Sequence, residues 1–362
     1  MSASEAMPVS AARPVPSRLP GVRPWGTLSL ILALVVLASL AIGTVPVPPV
    51  AIFGSLWEAL GLGEASQRMD TTQRAVLFTL RVPRVLLGMM VGAVLATTGA
   101  ALQALFRNPL VEPGLLGTSS GAALGAVLAI VMDVTLGAHL GELRMLVVPG
   151  AAFLGALGAT LLAQRLGSGG GRTDTPRMLL SGVAVSAGAF AGMGLLTFSA
   201  TDAQLRSITF WTLGSLGGAS WRTVGAAAVP LLLTLGLVLR EARALNLVLL
   251  GEREAYHLGV DVERLKRRLI LSAALGVGAS VAFTGMIGFV GLLVPALLRM
   301  ALGPDHRRLL AASALTGASL LLASDLLSRT LSVPSELPVG ALTAVLGVPA
   351  FIALLSRGRG MA

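Results

Sequence analysis

The chain contains no cysteine among its 362 residues, which excludes disulfide bonds, thiolate metal sites and cysteine nucleophiles together. Charged residues are scarce as well: they make up 12% of the chain, whereas an ordinary soluble domain has about 25%. The three histidines, at positions 139, 257 and 306, are far apart in sequence, so we expect no metal site. The chain also lacks a phosphate-binding loop of the form G-x-x-x-x-G-K-[ST], so any ATP must be bound by another chain.

Long uncharged runs are what the sequence has in abundance. Between Arg84 and Arg107 lie 22 residues without a formal charge, and comparable runs recur to the C-terminus. A helix rises about 1.5 Å per residue, so about 20 apolar residues cross the roughly 30 Å hydrocarbon core of a bilayer. The sequence therefore predicts an all-α, polytopic membrane protein with about ten transmembrane helices. The predicted spans are 25–45, 82–106, 114–132, 145–165, 178–200, 222–240, 267–284, 286–302, 309–330 and 338–356.

The basic residues predict the orientation of these spans. Residues 1–22 are rich in Ser, Ala and Pro and are expected to form a disordered cytoplasmic tail before a single transmembrane domain, 23–358. A cleaved signal peptide fits less well, because the first apolar run is long and begins late. With the N-terminus inside, sixteen of the other Lys and Arg residues fall in cytoplasmic loops and eight outside. This asymmetry follows the positive-inside rule, so the net charge of +10 indicates topology and not binding to nucleic acid.

Two segments fit an ideal span poorly. Residues 269–298 must cross twice within an uncharged run, and glycines interrupt its middle between Gly285 and Gly291. Non-helical backbone at membrane depth is tolerated only inside protein or beside an aqueous cavity, so we expect this break near a translocation path. The second segment, 202–220, contains Asp202, Arg206 and Trp211 and predicts a short interfacial helix on the outer side.

Glycine recurs at every fourth position on the third predicted span, at Gly117, Gly121 and Gly125. One interpretation is that this bare face forms a wall of the translocation path, together with Gly288 and Gly291. The alternative is close packing against a neighbouring helix, which small residues permit in membranes.

The cytoplasmic segment 244–268 mixes charged residues with leucines. It predicts two short amphipathic helices joined at Gly259, a pattern that suits docking into a groove on a soluble partner. A solvated loop that only anchors the topology is the alternative.

Taken in order, several motifs resemble one family, the FecCD-type or type II ABC importer permeases for iron chelates, heme and vitamin B12. The motifs are Arg81-Val-Pro-Arg84, Arg107-Asn108-Pro109-Leu110, Glu112-Pro113-Gly114, Gly117-Thr-Ser-Ser-Gly121-Ala, Leu205-Arg206 with Trp211 and Gly214, the loop 245–259, Gly288-Phe-Val-Gly-Leu-Leu-Val-Pro295, Gly303-Pro304-Asp305-His306-Arg307 and Glu336-Leu337-Pro338-Val339-Gly340. The resemblance covers about residues 78 to 356. It departs at Ala296, where the family commonly has histidine, so no role of that histidine is carried over.

The resemblance implies a homodimer in the bacterial inner membrane, with a central pathway, two cytoplasmic ATPase subunits that bind ATP and Mg, and a periplasmic binding protein. The permease itself would have no catalytic activity and no cofactor. By resemblance, Arg81, Arg84 and Arg329 dock the binding protein, and Asn108-Pro109-Leu110 with Thr175-Pro176 form the cytoplasmic gate. The ATPase coupling residues would be Gly251, Glu252, Glu254, Leu258 and Gly259.

The cargo stays open at this point. Arg107 before Asn108-Pro109 resembles iron and heme permeases more than the vitamin B12 one, and the stretch 117–122 looks like heme permeases. Heme is therefore favoured, while iron-siderophore and cobalamin permeases remain alternatives. A proton- or sodium-driven secondary transporter is a second class, but no acidic residue is evident in the middle of a predicted span. An intramembrane enzyme is disfavoured because buried His, Cys and paired carboxylates are missing.

Overall fold

The protein is described from a computed structural model that covers residues 24–59, 61, 69–136, 145–169, 172–332 and 335–358. The predicted tail, residues 1–22, lies outside these ranges. Fifteen α-helices and one two-stranded hairpin are present in the described part. The helices are α1 (Pro24–Ala41), α2 (Pro49–Ala59), α3 (Thr71–Ala75), α4 (Val82–Leu105), α5 (Thr118–Leu136), α6 (Val147–Leu166), α7 (Thr175–Phe198), α8 (Asp202–Leu213), α9 (Trp221–Arg240), α10 (Ala242–Val248), α11 (Glu252–His257), α12 (Val262–Thr284), α13 (Val290–Leu302), α14 (His306–Thr330) and α15 (Val339–Gly358).

Ten of these helices, α1, α4 to α7, α9 and α12 to α15, correspond one to one with the ten predicted spans. Among the described residues, six helices are long and apolar enough to cross a membrane, and one of them runs from Thr71 to Leu105 because a π-helical turn, Val76–Arg81, joins α3 to α4. The apolar parts of α1, α5, α13 and α15 are shorter. The all-α, polytopic architecture is therefore confirmed.

Helix α4 lies at the centre of the bundle. It packs against α9, α12, α13 and α14, and 83% of its most apolar window is buried. The approach is backbone to backbone at two levels, because a Cβ atom on Gly92 would overlap the carbonyl of Gly317 and one on Gly99 would overlap that of Gly291. Small residues allow such contacts where no hydrophobic effect drives helices together. Helices α9, α12, α13 and α14 are therefore all positioned against α4.

Helix α7 lies at the edge of the bundle instead. Only 11% of its apolar window is buried, and large apolar side chains such as Leu195 and Phe198 are almost fully exposed. In water such a surface would be an aggregation site, whereas in a bilayer it contacts lipid or another copy of the chain.

The predicted interruption of the run 269–298 is present. Helix α12 ends at Thr284, α13 begins at Val290, and the residues between them are not helical. Gly285 has φ of 69° and lies so close to Trp211 that a Cβ atom would overlap the carbonyl of Trp211. The interfacial helix expected within 202–220 is α8, which ends at this contact.

The segment 244–268, predicted to be cytoplasmic, departs from the prediction in one respect. Its two short helices are α10 and α11, and they are joined at Gly251, whose φ of 133° only glycine adopts without strain. Gly259, with φ of 87°, instead separates α11 from α12. Residues 263–268 belong to the first two turns of α12, because Asp261 caps that helix by accepting a hydrogen bond from the Arg264 N–H.

Candidate gate, coupling and docking sites

The first predicted gate segment, Asn108–Leu110, is a fixed turn directly after α4. The Asn108 side chain accepts a hydrogen bond from the Leu110 N–H at 2.9 Å, and the Asn108 N–H donates to the carbonyl of Gln103 at 3.0 Å. Arg107, just before the turn, has φ of 48°. A left-handed conformation at a non-glycine residue is uncommon and costs of order 1–3 kcal/mol, so the surrounding contacts must hold it.

Glu112 connects this gate segment to the break between α12 and α13. Its Oε1 atom accepts a hydrogen bond from the Phe289 N–H at 2.9 Å. Phe289 has φ of 66° and is, with Arg107, one of two non-glycine residues of positive φ among those described. The pKa of Glu112 is raised, because the effect of burial outweighs the opposite effect of the hydrogen bond from Phe289. No role was predicted for Glu112 from the sequence, although an acidic residue among the apolar residues around the Glu112-Pro113-Gly114 motif could have indicated one.

The second predicted gate segment, Thr175–Pro176, begins α7. Asp174 caps the helix by accepting the Arg177 N–H at 3.0 Å, and proline in the first turn costs no helical hydrogen bond. One turn further on, a Cβ atom at Gly182 would overlap the carbonyl of Leu115, in the 3₁₀ turn that follows Glu112. The structure therefore packs α7, which begins with the second predicted gate segment, against the 3₁₀ turn that follows the first.

The predicted coupling residues lie on α11 and in the turns on either side of it, and they differ in exposure: Gly251 is buried, whereas Glu254, Leu258 and Gly259 are exposed. Glu254 and Leu258 project from α11 and the turn after it, next to Tyr256, which is 70% exposed. Glu252, the first residue of α11, is only partly exposed because it faces the start of α12. A groove of about 820 Å³ is lined by residues of α11 and by Arg107, the residue just before the first predicted gate segment.

Helix α10 is fixed to the start of α14. Asn246 donates to Asp305 Oδ1 at 2.7 Å and accepts from the His306 N–H at 2.8 Å. The hydrogen bond from Asn246 is the main reason that the pKa of Asp305 is lowered. The coupling segment thus has a fixed half, α10, and a half that presents side chains outward, α11.

The three arginines predicted to dock a binding protein form one cluster at the opposite end of α4. Asp325, fully buried on α14, accepts from Arg84 at 2.8 Å and lies 3.1 Å from Arg329 Nε. Arg84 also forms a bidentate pair with the exposed carboxylate of Glu336, at 2.9 and 2.8 Å. The guanidinium of Arg84 holds the pKa of Glu336 below its usual range.

Arg81 faces inward, which differs from the expectation of a free outer charge. Only 5% of the residue is exposed, and its guanidinium donates to the carbonyls of Leu40, Ala41 and Val45. The carbonyls of Leu40 and Ala41 lie at the C-terminal end of α1, where unpaired backbone acceptors and the helix dipole favour a cation, and Val45 follows shortly after it. In the isolated subunit Arg81 therefore closes α1 against α4.

The glycines proposed as a pathway wall are mostly buried helix contacts. A Cβ atom on Gly121 would overlap Ala159 and the carbonyl of Gly155, and one on Gly125 would overlap the carbonyl of Ala151, all on α6. These two positions therefore follow the packing interpretation, because a pathway wall needs open space beside it. The first of the series, Gly117, has φ of 84° and touches Val185 instead.

The two candidates near the start of α13, Gly288 and Gly291, also differ in what surrounds them. Gly291 is packed against Leu95 and Pro113, which leaves no open side for a path. Gly288 differs, because a Cβ atom there would meet only Glu112, at 3.6 Å. Gly288 is therefore the one of the five glycine candidates with open space beside a polar group.

Comparison with known proteins matches this architecture along nearly its whole length. Residues 31–357 match the model of the FecCD transport family. The hemin transport system permease protein HmuU of Yersinia pestis is 44% identical over 90% of this chain and 94% of its own length. The cobalamin import system permease protein BtuC of Halobacterium salinarum is 41% identical over 90% of this chain and 85% of its own.

A solved structure agrees with the fold. An inward-facing ABC transporter assigned to the metal-chelate type superposes with a TM-score of 0.79 and 32% identity, covering 92% of this chain and 98% of that one. The family match, the relatives above 40% identity and the ten apolar helices lead to one conclusion: this multi-pass membrane protein belongs to the FecCD transport family.

Proposed function

We propose that the chain is the membrane-spanning subunit of an ATP-driven importer that carries heme, or another iron chelate, from periplasm to cytoplasm. The observation that carries this proposal is the 44% identity to a hemin permease over 94% of that protein's length. The subunit would lie in the bacterial inner membrane as a homodimer with its termini in the cytoplasm. Two ATPase subunits would bind ATP and Mg, so this chain performs no catalysis.

The geometry supports a transport cycle driven from α11. The exposed side of this helix offers Glu254, Tyr256 and Leu258, which combine charge with an apolar anchor for a groove on the ATPase. Arg107, next to the first gate segment, lines the groove that borders α11, so movement of α11 changes the surroundings of that segment. Gly288 and Glu112, at the break after α12, are the candidate lining of the path.

Uptake into proteoliposomes tests the function and the cargo together. The permease, its ATPase and its binding protein are reconstituted, and ATP-dependent uptake of hemin, a ferric siderophore and cyanocobalamin is compared. We expect hemin to accumulate. Cobalamin is the second candidate because the cobalamin permease is almost as similar, at 41% identity. Uptake that needs an ion gradient but no ATPase would overturn the proposal in favour of a secondary transporter.

The arginine cluster at the predicted outer end gives the docking proposal a specific form. The bidentate pair joins Arg84 to Glu336, which is the exposed partner, while Asp325 holds the buried sides of Arg84 and Arg329. A carboxylate on the binding protein would therefore compete with Glu336 for Arg84. Arg81 contributes by holding α1 in place.

Replacing Glu336 with Gln tests this competition, with Glu58→Gln as the matched loss of an exposed carboxylate on α2. Removing the competing anion should tighten binding of the binding protein severalfold at low salt, and salt should weaken the gain. Reversing all three arginines to Glu should weaken docking. Binding that is equal in the Glu336 and Glu58 variants would remove this cluster from the docking site.

A further inference from the structure

Lys266 is a buried cation at a junction between the coupling helix and the second gate segment. It lies in the first turns of α12, and only 3% of its side chain is exposed. A lysine is almost never fully buried unless its charge is paired, so its contacts define what it does.

Three acceptors from three separate segments surround the ammonium group. Its Nζ atom donates to Glu252 Oε2 of α11 at 2.9 Å and to the carbonyl of Thr173 at 3.1 Å. Glu263, three residues before Lys266 on α12, has its Oε1 atom 3.6 Å from the Nζ atom. The ammonium group therefore makes two hydrogen bonds and one longer ion pair.

Thr173 makes the connection to the gate. It belongs to the hairpin formed by β1 (Ser168–Gly169) and β2 (Arg172–Thr173), which lies between α6 and α7. Its N–H donates to Glu263 Oε2 at 3.0 Å, so both polar groups of its backbone are held by α12. The next residue, Asp174, caps α7, and Thr175-Pro176 follows at once. The chain from Lys266 to the start of α7 has no flexible spacer.

The carboxylate of Glu252 connects α11 to this junction. Helix α11 turns Glu252 toward Lys266, while Glu254, Tyr256 and Leu258 remain exposed for a partner. A force applied to the exposed side of α11 therefore acts on the charged contact at its N-terminus as well as on the buried packing of Ala255. The contact between Lys266 and Glu252 is a charge-assisted hydrogen bond, which is roughly twice as strong as a neutral one.

We propose that Lys266 is the positioning residue that transmits movement of α11 to the gate segment Thr175-Pro176, by joining Glu252 to the backbone of Thr173. The inference rests on the proposed function, since it assigns a mechanical link within that transporter. It also explains why a cation is buried at this point of α12, where an apolar residue would pack without any need for partners.

The test uses the complete transporter in proteoliposomes and measures uptake per ATP hydrolysed. Lys266→Met keeps the length of the side chain and removes all three contacts, and Arg267→Met is the matched loss of an exposed cation from the adjacent position. We expect Lys266→Met to retain its ATPase subunits and to hydrolyse ATP, with uptake per ATP reduced at least tenfold. Arg267→Met should match wild type.

A second readout follows the gate itself. The chain has no native cysteine, so a spin label on Arg177→Cys, in the exposed first turn of α7, reports one site in each subunit. The distance between the two labels should change between the nucleotide-free and ATP-bound states in the wild-type background, and should stay constant with Lys266→Met.

The outcomes separate the two levels of the proposal. A wild-type complex that neither hydrolyses ATP nor imports would overturn the proposed function, and the inference with it. A functional wild type whose Lys266→Met variant imports at the normal ratio, with normal label movement, would overturn the inference alone, even if that variant were less stable. A purely structural lysine would give that result.

A milder variant keeps the test decisive if Lys266→Met fails to assemble. Glu252→Gln retains the shape and removes the charge at a partly exposed position, and should reduce uptake per ATP at least threefold. Where both variants assemble, the double variant should lose no more than Lys266→Met alone, because both act on one link. Additive losses, or a wild-type ratio in Glu252→Gln, would contradict the inference.

Discussion

Replacing Gly121 with Ala should separate the packing role of the α5 glycines from a role in the translocation path. An added Cβ atom would lie 2.3 Å from the Cβ of Ala159 and 2.4 Å from the carbonyl oxygen of Gly155. Carbon atoms pack at about 3.5–4.0 Å, so α5 and α6 would have to move apart by about 1 Å. Neither contacting atom can rotate away, because one is a backbone oxygen and the other is fixed to the backbone.

The expected cost follows from that collision. Overpacking a well-packed contact costs about 1–3 kcal/mol. Glycine to alanine also favours a helix by about 0.5–1 kcal/mol, but the same gain applies at Gly158, a position on α6 where nothing lies within 4 Å. The difference in free energy of unfolding between Gly121→Ala and Gly158→Ala therefore isolates the collision. Gly150→Ala, also on α6 and equally open, is a second control.

Unfolding by titration with a denaturing detergent measures this difference, and ATP-dependent uptake is followed in parallel. We expect Gly121→Ala to be about 1–3 kcal/mol less stable than Gly158→Ala, with any loss of uptake proportional to the loss of folded protein. Equal stability of the two variants would refute the packing argument. Normal stability with abolished uptake would restore Gly121 to the path.

Three other expectations follow. Leu258→Asp should uncouple ATP hydrolysis from uptake without affecting membrane insertion, because it places a charge at the apolar anchor of α11; normal uptake together with normal recovery of the ATPase would leave the segment a topology anchor. Cysteines introduced at Leu110 or Thr175 should crosslink across the dimer in one nucleotide state and not in another, and crosslinking that is identical with and without ATP would remove these residues from the gate. The pair of Arg84 with Glu336 should stabilise the fold at neutral pH, because the pKa of Glu336 is lowered below its unfolded value of about 4.3. This stabilisation should be lost as pH falls through the lowered pKa. A difference in melting temperature between wild type and Glu336→Gln that persists in acid would contradict that assignment.

The helices and the break could be predicted from sequence because both depend on local composition. A run of 22 uncharged residues requires a membrane-spanning helix wherever it packs, and Gly285, with φ of 69°, ends α12 through its own conformational freedom. The same holds for the start of α7, where Asp174 and Pro176 mark the first turn by their chemistry.

The state of individual side chains could not be predicted, because it depends on partners far along the chain. Arg81 was expected to be an outer charge, yet it is buried by carbonyls about 40 residues away at the end of α1. Glu112 contacts Phe289, 177 residues later, and no local pattern encodes that pairing. The repeat of Gly121 and Gly125 fitted two interpretations until the position of α6 distinguished them.

The break after α12 also sets the count of crossings during synthesis. Arg268 and Arg299 bracket 30 uncharged residues, which as one continuous helix would measure about 45 Å, well beyond a bilayer core of about 30 Å. Continuous passage would leave the two arginines on opposite sides of the membrane and would reverse α14, α15 and the C-terminus. By turning the chain at Gly285, the nascent protein returns Arg299 to the side of Arg268. A few non-helical residues therefore decide whether the number of crossings is odd or even, and with it the orientation in the membrane of every helix that is synthesised afterwards.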